Sequence, residues 1–368
     1  MDNNQKALRW SVMEPWNLSI TTDYGREFKP RDFLYMGEIG GSHLTTYWKM
    51  KGIEPTNKIN DIKRRKMEAG NFYEAIVVWV FQRCGILKNT QGKVRIEDPK
   101  YLTVYGRYDI LAGHDGNWDK TKKELFEYFD NAEKTGYVFP FHDSVKRKSF
   151  ETVKYLSEKF PNGLQDKIYE VKSIQSAAFW RHDQPISRPY EKHNYQLSNY
   201  IKHNFEKVDI GSFLYVDRDT MSLSEIPIYQ VDERIIKKSY EWLEQMTYYY
   251  RNDIEPPKPE FIIWDEETGK WTFNVEVSWS EYKDKLLNGV SESQIIAEIK
   301  NRNKELSVVS KMKMAIDNKE FRGIKKYQKA IELLNSGMSY VEVEAKMKIP
   351  AVALLHYIEE VQNTSKSQ

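Results

Sequence analysis

The Glu170-Val171-Lys172 tripeptide is the starting point for chemistry in this chain, although the Glu-x-Lys spelling alone carries no weight. It recurs at Glu27, Glu281, Glu298 and Glu344. Only the copy at Glu170 follows Gly106-Arg-Tyr-Asp109 and precedes Gln196-Leu-Ser-Asn-Tyr200, with Gly70-Asn-Phe-Tyr-Glu74 further upstream. In a strand, residues i and i+2 share a face, so Glu170 and Lys172 project together and Val171 turns the other way. Asp109 on a neighbouring strand would add a second carboxylate at the same spot. Two converging carboxylates repel each other, and a hard divalent cation relieves that repulsion. Magnesium takes oxygen ligands and keeps several waters. Such an ion polarises a phosphodiester and acidifies an attacking water. A lysine beside it would orient that water or offset charge developing on phosphorus. The residue types outline metal-assisted phosphodiester hydrolysis.

Each residue also has an ordinary reading. Asp109 would serve as a strand-end cap, and Glu170 with Lys172 as an exposed ion pair. Glu74 would need a partner if buried among the apolar residues of its helix, and none at the edge of that face. Gln196 and Tyr200 share a helical face at i, i+4 and would simply cap and pack their helix. His182 and His193 read as loop and surface residues, not metal ligands.

The elements that must position these residues are legible from periodicity. Met67, Phe72, Ile76, Val77 and Val80 fall at helical spacing and predict a helix over 61–83. Strands are expected at 93–97, 101–111, 167–172, 211–217 and 226–229, and helices at 190–205 and 231–252. Between the second and third strands, residues 112–166 read as a charged insertion with helices at 120–133 and 144–159. The stretch 173–189, punctuated by Pro185 and Pro189, reads as loop. Pro256-Pro-Lys-Pro259 breaks the chain. Beyond it, 261–264 and 271–279 read as a β-hairpin, followed by helices at 280–287 and 291–309 and a three-helix module over 324–361. Strands mixed with helices predict an α/β core with a helical tail. The organisation expected is a core over 1–255, an extension over 256–317 and a C-terminal module over 318–368.

The ordered set of four motifs resembles the PD-(D/E)XK nuclease superfamily, in particular its RecB-like exonuclease branch, which includes CRISPR-associated and phage enzymes. The resemblance spans roughly residues 33–277. It implies a restriction-endonuclease-like core, a central mixed sheet flanked by helices, and Mg²⁺- or Mn²⁺-dependent hydrolysis of DNA. Exonuclease action on single strands or duplex ends, in phage or prokaryotic recombination and repair, is the expected activity. The alternatives are a structure- or site-specific endonuclease of the same superfamily and a non-catalytic DNA-binding or assembly protein. By the same resemblance Asp109 and Glu170 are the main metal ligands, with Glu74 and the Val171 carbonyl completing the site. Lys172 is then the catalytic lysine, while Gln196 and Tyr200 help hold DNA and order the site. The segment from Leu34 to Gly52 is similar to the family's lead-in. Many relatives hold an iron–sulfur cluster on four cysteines. Here the matching region near Val277 has none, and aromatic packing of a Trp264–Trp279 hairpin is expected in the cluster's place.

Composition narrows the alternatives. One cysteine, Cys84, excludes an internal disulfide framework and any four-cysteine cluster. The longest apolar run, 75–81, is far shorter than the roughly 20 residues of a membrane span, and no signal pattern opens the chain. A cytoplasmic setting is expected, the host's for a phage-encoded protein. With 56 basic and 54 acidic residues, a DNA partner would be held by local patches such as 63–66, 122–123 and 146–148, each also readable as a solvated helix face. Phe179, Trp180 and Tyr190 would stack on bases or pack the loop. No Walker motif is present, so a helicase or other recombination partner would be a separate chain. Residues 339–358 resemble a helix-turn-helix, with Ser339 as N-cap and Lys348 where a turn glycine is usual. Ala351, Ala353 and His356 would then face a groove or a partner.

Overall fold

The computed structural model describes residues 28–57, 61–135, 142–181, 183–265, 268–317, 324–349 and 354. The chain divides into two units, Met1–Pro257 and Lys258–Gln368. The first unit opens with β1 (Leu34–Tyr35), a 3₁₀ turn (Met36–Glu38), α1 (His43–Met50) and α2 (Asp61–Arg83). Next come β2 (Leu87–Ile96), β3 (Val104–His114), α3 (Trp118–Lys134), α4 (His142–Lys159) and β4 (Leu164–Ile174). A short α5 (Ser176–Phe179), β5 (Trp180–Arg181) and β6 (Gln184–Pro185) lead into α6 (Glu191–His203). The unit closes with β7 (Gly211–Asp217), β8 (Leu223–Ile228) and α7 (Glu233–Arg251).

Six strands form a mixed sheet in the order β1-β3-β4-β7-β8, with β2 along the other side of β3. β3 is antiparallel to both β2 and β4, whereas β4 and β7 run parallel. Every residue of β7 is buried, as expected of a strand covered on both faces. β8 instead carries Pro227, which a ladder tolerates at a sheet edge. Helix α2 lays Tyr73, Val77, Val78 and Phe81 on one face, against Ile110, Val171, Leu214 and Val216. Helix α6 covers the other face. Outside it lie α7, where Asn199 donates to Ser239 Oγ at 2.9 Å, and α1, where His43 stacks on Trp242. The architecture is therefore α/β, a mixed central sheet flanked by helices.

Several predicted boundaries shift. β3 continues to His114 and β4 begins at Leu164, so the insertion spans 115–163. It has its own core of Trp118, Leu125, Phe129 and Val153. It leaves the sheet at one end of β3 and β4, and the loop after Ile174 leaves at the opposite end. That loop is not featureless, because it holds α5 and the β5–β6 hairpin.

The second unit contains the hairpin β9 (Ile262–Asp265) and β10 (Lys270–Phe273), then α8 (Val275–Ser278), α9 (Lys283–Leu287) and α10 (Glu292–Asp317). It ends with α11 (Ile324–Asn335) and α12 (Tyr340–Met347). The strand expected to reach Trp279 stops at Phe273. There Asn274 caps α8 by accepting the Glu276 N–H at 3.0 Å, turning the chain into a helix. Trp264 and Trp271 meet edge to face across the hairpin, with centroids 5.4 Å apart, while Trp279 lies beyond it. Ser339 caps α12 in a capping box and Val343 is fully buried. Ala351, Ala353 and His356 lie outside the described residues. Among the described residues, no helix is long and apolar enough to cross a membrane.

Candidate active site

Strand register brings the first two carboxylates together. β3 and β4 pair Ile110 with Tyr169 and Leu111 with Ile168, and one further step of that register sets Asp109 opposite Glu170. The ladder does not continue there in the usual way. Asp109 Oδ2 accepts the Val171 N–H at 2.7 Å, so a side chain replaces the backbone acceptor where the strands part. The Val171 side chain points to the opposite face, into the apolar cluster under α2.

Glu170 is 1% exposed. Lys172 Nζ donates to its Oε1 at 2.5 Å and to Gln196 Oε1 at 3.3 Å. Gln196 Nε2 donates onward to Tyr200 Oη at 2.8 Å. Gly106 makes this packing possible. A Cβ there would sit 2.6 Å from the Tyr200 ring and 2.9 Å from Met36 Cβ. Asp109, Glu170, Lys172, Gln196 and Tyr200 are thus one connected cluster on the face covered by α6.

Glu74 stands one step away. Its Oε1 accepts from Gln91 Nε2 at 2.6 Å, yet its charge acts on Asp109, Glu170 and Lys172. Burial raises the Asp109 carboxyl to about 8, with Glu170 and Glu74 adding to the rise. Burial also raises Glu170, against the opposing charge of Lys172. For Lys172, burial alone would lower the ammonium, but the Glu170 charge and hydrogen bond outweigh it and hold it raised. Burial thus favours a proton on Asp109 near neutral pH, while Lys172 opposes the rise in Glu170.

One atom in this arrangement has no donor. Glu170 Oε2 is buried without a hydrogen-bond partner, and strand register sets the Asp109 carboxyl opposite Glu170. Two acceptors facing each other require a proton or a cation between them. Two carboxylates are donors of the type Mg²⁺ or Mn²⁺ accepts. Among the described residues, no group of three or more His, Cys, Asp or Glu side chains forms a closed metal cage. Asp109 and Glu170 are the only carboxylates at this spot that would hold an ion among the described residues, with Glu74 contributing charge.

No family model and no curated protein matches the chain. A solved structure described as "Crystal structure of SSO0001" overlays 64% of this chain and 87% of its own, at 11% identity and a TM-score of 0.36. That degree of likeness assigns neither a family nor a function.

Two residues escaped the sequence reading. His193, expected at the surface, is half-buried. One helical turn before Gln196, it lies over β7, and its Nδ1 is 2.9 Å from Tyr215 Oη. The Tyr190 N–H donates to the same hydroxyl at 3.3 Å, so Tyr215 Oη ties the start of α6 to His193. Burial, then the charges of Lys172 and Lys192, lower this histidine to about 4. The spacing 193, 196, 200 on one helix was the signal. Asp217 is the second. Fully buried at the end of β7, it accepts from Ser176 Oγ at 2.6 Å, Thr220 Oγ1 at 2.6 Å, Trp180 Nε1 at 2.9 Å and the Asp219 N–H at 3.0 Å. Burial pushes its carboxyl up, but these four donors prevail and hold it well below the ordinary range. No local motif marks it, because its donors come from both sides of the strand. His182 lies outside the described residues.

Proposed function

We propose that this chain is a metal-dependent nuclease of the PD-(D/E)XK superfamily, RecB-like branch, that hydrolyses DNA phosphodiester bonds as an exonuclease. The observation that carries the reading is the Asp109–Glu170–Lys172 cluster on adjacent strands, with one Glu170 oxygen buried and lacking a donor. Asp109, Glu170 and the Val171 carbonyl would hold Mg²⁺ or Mn²⁺, and Glu74 would supplement their charge. Bound there, the ion would polarise the scissile phosphodiester and acidify the attacking water. Lys172, kept as an ammonium, is a donor and not a base. It would orient the water and offset the charge gathering on the phosphoryl oxygens as the new P–O bond forms and the ester bond breaks. Gln196 and Tyr200 fix the lysine's direction from α6. The proton on Asp109 must leave when a cation is taken up.

End-labelled single- and double-stranded DNA, with a closed circle, incubated in Mn²⁺, Mg²⁺ or EDTA tests this reading. Metal-dependent loss of linear DNA, absent in Lys172→Ala and sparing circles, is expected. Cutting of circles would move the assignment to an endonuclease. Absence of cleavage in both metals would leave a DNA-binding or assembly protein.

A further inference from the structure

We propose that Trp180 is a stacking platform for an unpaired base of the strand held at Glu170 and Lys172, so that the substrate reaches the site single-stranded. This rests on the nuclease reading above and names its substrate class. Of the three aromatics that follow β4, Phe179 is fully buried and Tyr190 packs on Tyr215 and His193. Trp180 is 41% exposed. Its one polar atom is already used, because Nε1 donates to Asp217 Oδ2 at 2.9 Å. An exposed indole with its N–H satisfied has only ring surface to offer a ligand.

Register places that ring near the cluster. β4 and β7 pair Lys172 with Tyr215 and Ile174 with Asp217. Tyr215 and Asp217 are two apart on one strand, so both face the same side as Lys172. The anchor is thus two residues along, about 7 Å, and one strand over, about 5 Å, from the lysine. The platform is also rigid. Trp180 pairs with Pro185 across a tight hairpin, the Ile186 N–H donates to the Phe179 carbonyl at 2.7 Å, and Ser224 Oγ donates to the Ile186 carbonyl at 2.6 Å. Beside it the Arg181 guanidinium lies 5.7 Å over the Tyr190 ring, adding positive charge. Every base has a π-face, so such stacking is sequence-tolerant, but within a duplex those faces are already covered.

The test uses the full chain and labelled single-stranded oligonucleotides in Mn²⁺, comparing wild type, Trp180→Ala and Trp180→Phe, with thermal unfolding as the check on fold. We expect Trp180→Ala to raise KM about tenfold or more with a far smaller change in kcat, and Trp180→Phe to recover most of the loss. A single abasic position moved along the strand should weaken wild-type binding at one place and have no added effect in Trp180→Ala. Equal loss in both variants, or no position-dependent abasic effect, overturns the inference while leaving the nuclease reading intact. A wild-type protein that cleaves no DNA overturns both.

Discussion

Lys172 donates to one oxygen of Glu170, the other is buried without a donor, and register sets Asp109 opposite it, an arrangement whose cost is measurable without any substrate. Asp109 is raised from 3.8 to about 8 on folding, so between those values the folded protein holds a proton that the unfolded chain releases. Stability in EDTA should therefore fall as pH rises from about 4 to about 8, by on the order of a few kcal/mol. Asp109→Asn should flatten that slope and exceed wild type in stability at pH 8, while abolishing metal-dependent cleavage. Unfolding curves across pH in EDTA check this, and a wild-type profile as flat as that of Asp109→Asn would contradict it. Asp217 has the opposite sign. Its depressed carboxyl contributes stability that is fully present above about pH 4 and lost as pH falls below the ordinary carboxylate range. Asp217→Ala should cost about 2–4 kcal/mol, because four donors lose their acceptor. The types and spacing of Asp109, Glu170 and Lys172 were readable along the chain. The role of Asp217 was not, since nothing local distinguishes an aspartate with four donors from one in solvent.

At the scale of elements, the cluster depends on how closely α6 approaches β3. Gly106→Val would drive a side chain into the Tyr200 ring and Met36. We expect about 2–3 kcal/mol of lost stability, with Mn²⁺-dependent cleavage falling as Gln196 and Tyr200 move away from Lys172. Cleavage at the wild-type rate by a stably folded Gly106→Val protein would show that this approach is dispensable. In the second unit, Lys348 follows α12 with φ of +50°, a left-handed position that costs a side-chain-bearing residue about 1 kcal/mol. Lys348→Gly should raise the thermal midpoint of that unit. Most elements declared themselves through periodicity. The exceptions include β1, α1 and α5, which are short and whose formation depends on partners distant in sequence: β1 on Val104 and Tyr105, α1 on Trp242 of α7, and α5 on Asp217 of β7.

For the molecule as a whole, the proposed cation uptake would be coupled to folding. An ion that binds only the folded chain stabilises it by about 2.7 kcal/mol at a hundred times its Kd. Mn²⁺ should therefore raise the thermal midpoint at pH 8, where the loss of the Asp109 proton is least costly, and raise it less at pH 6. Glu170→Gln should remove most of the shift. An equal Mn²⁺ shift in wild type and Glu170→Gln would place the ion elsewhere. The helical insertion, with its own core between β3 and β4, attaches to the strand ends opposite the Trp180 hairpin.

Alternation along 167–172 determined that Glu170 and Lys172 share a face, because a strand has a period of two whatever surrounds it. Helical spacing likewise determined that Gln196 and Tyr200 share a face. Which strands are neighbours, and in what register, is a non-local matter. Only the tertiary structure set Asp109 opposite Glu170, lowered His193 by covering it, and left Trp180 exposed with its indole nitrogen satisfied. Burial and partner geometry are properties of packed surfaces, and no single segment carries them.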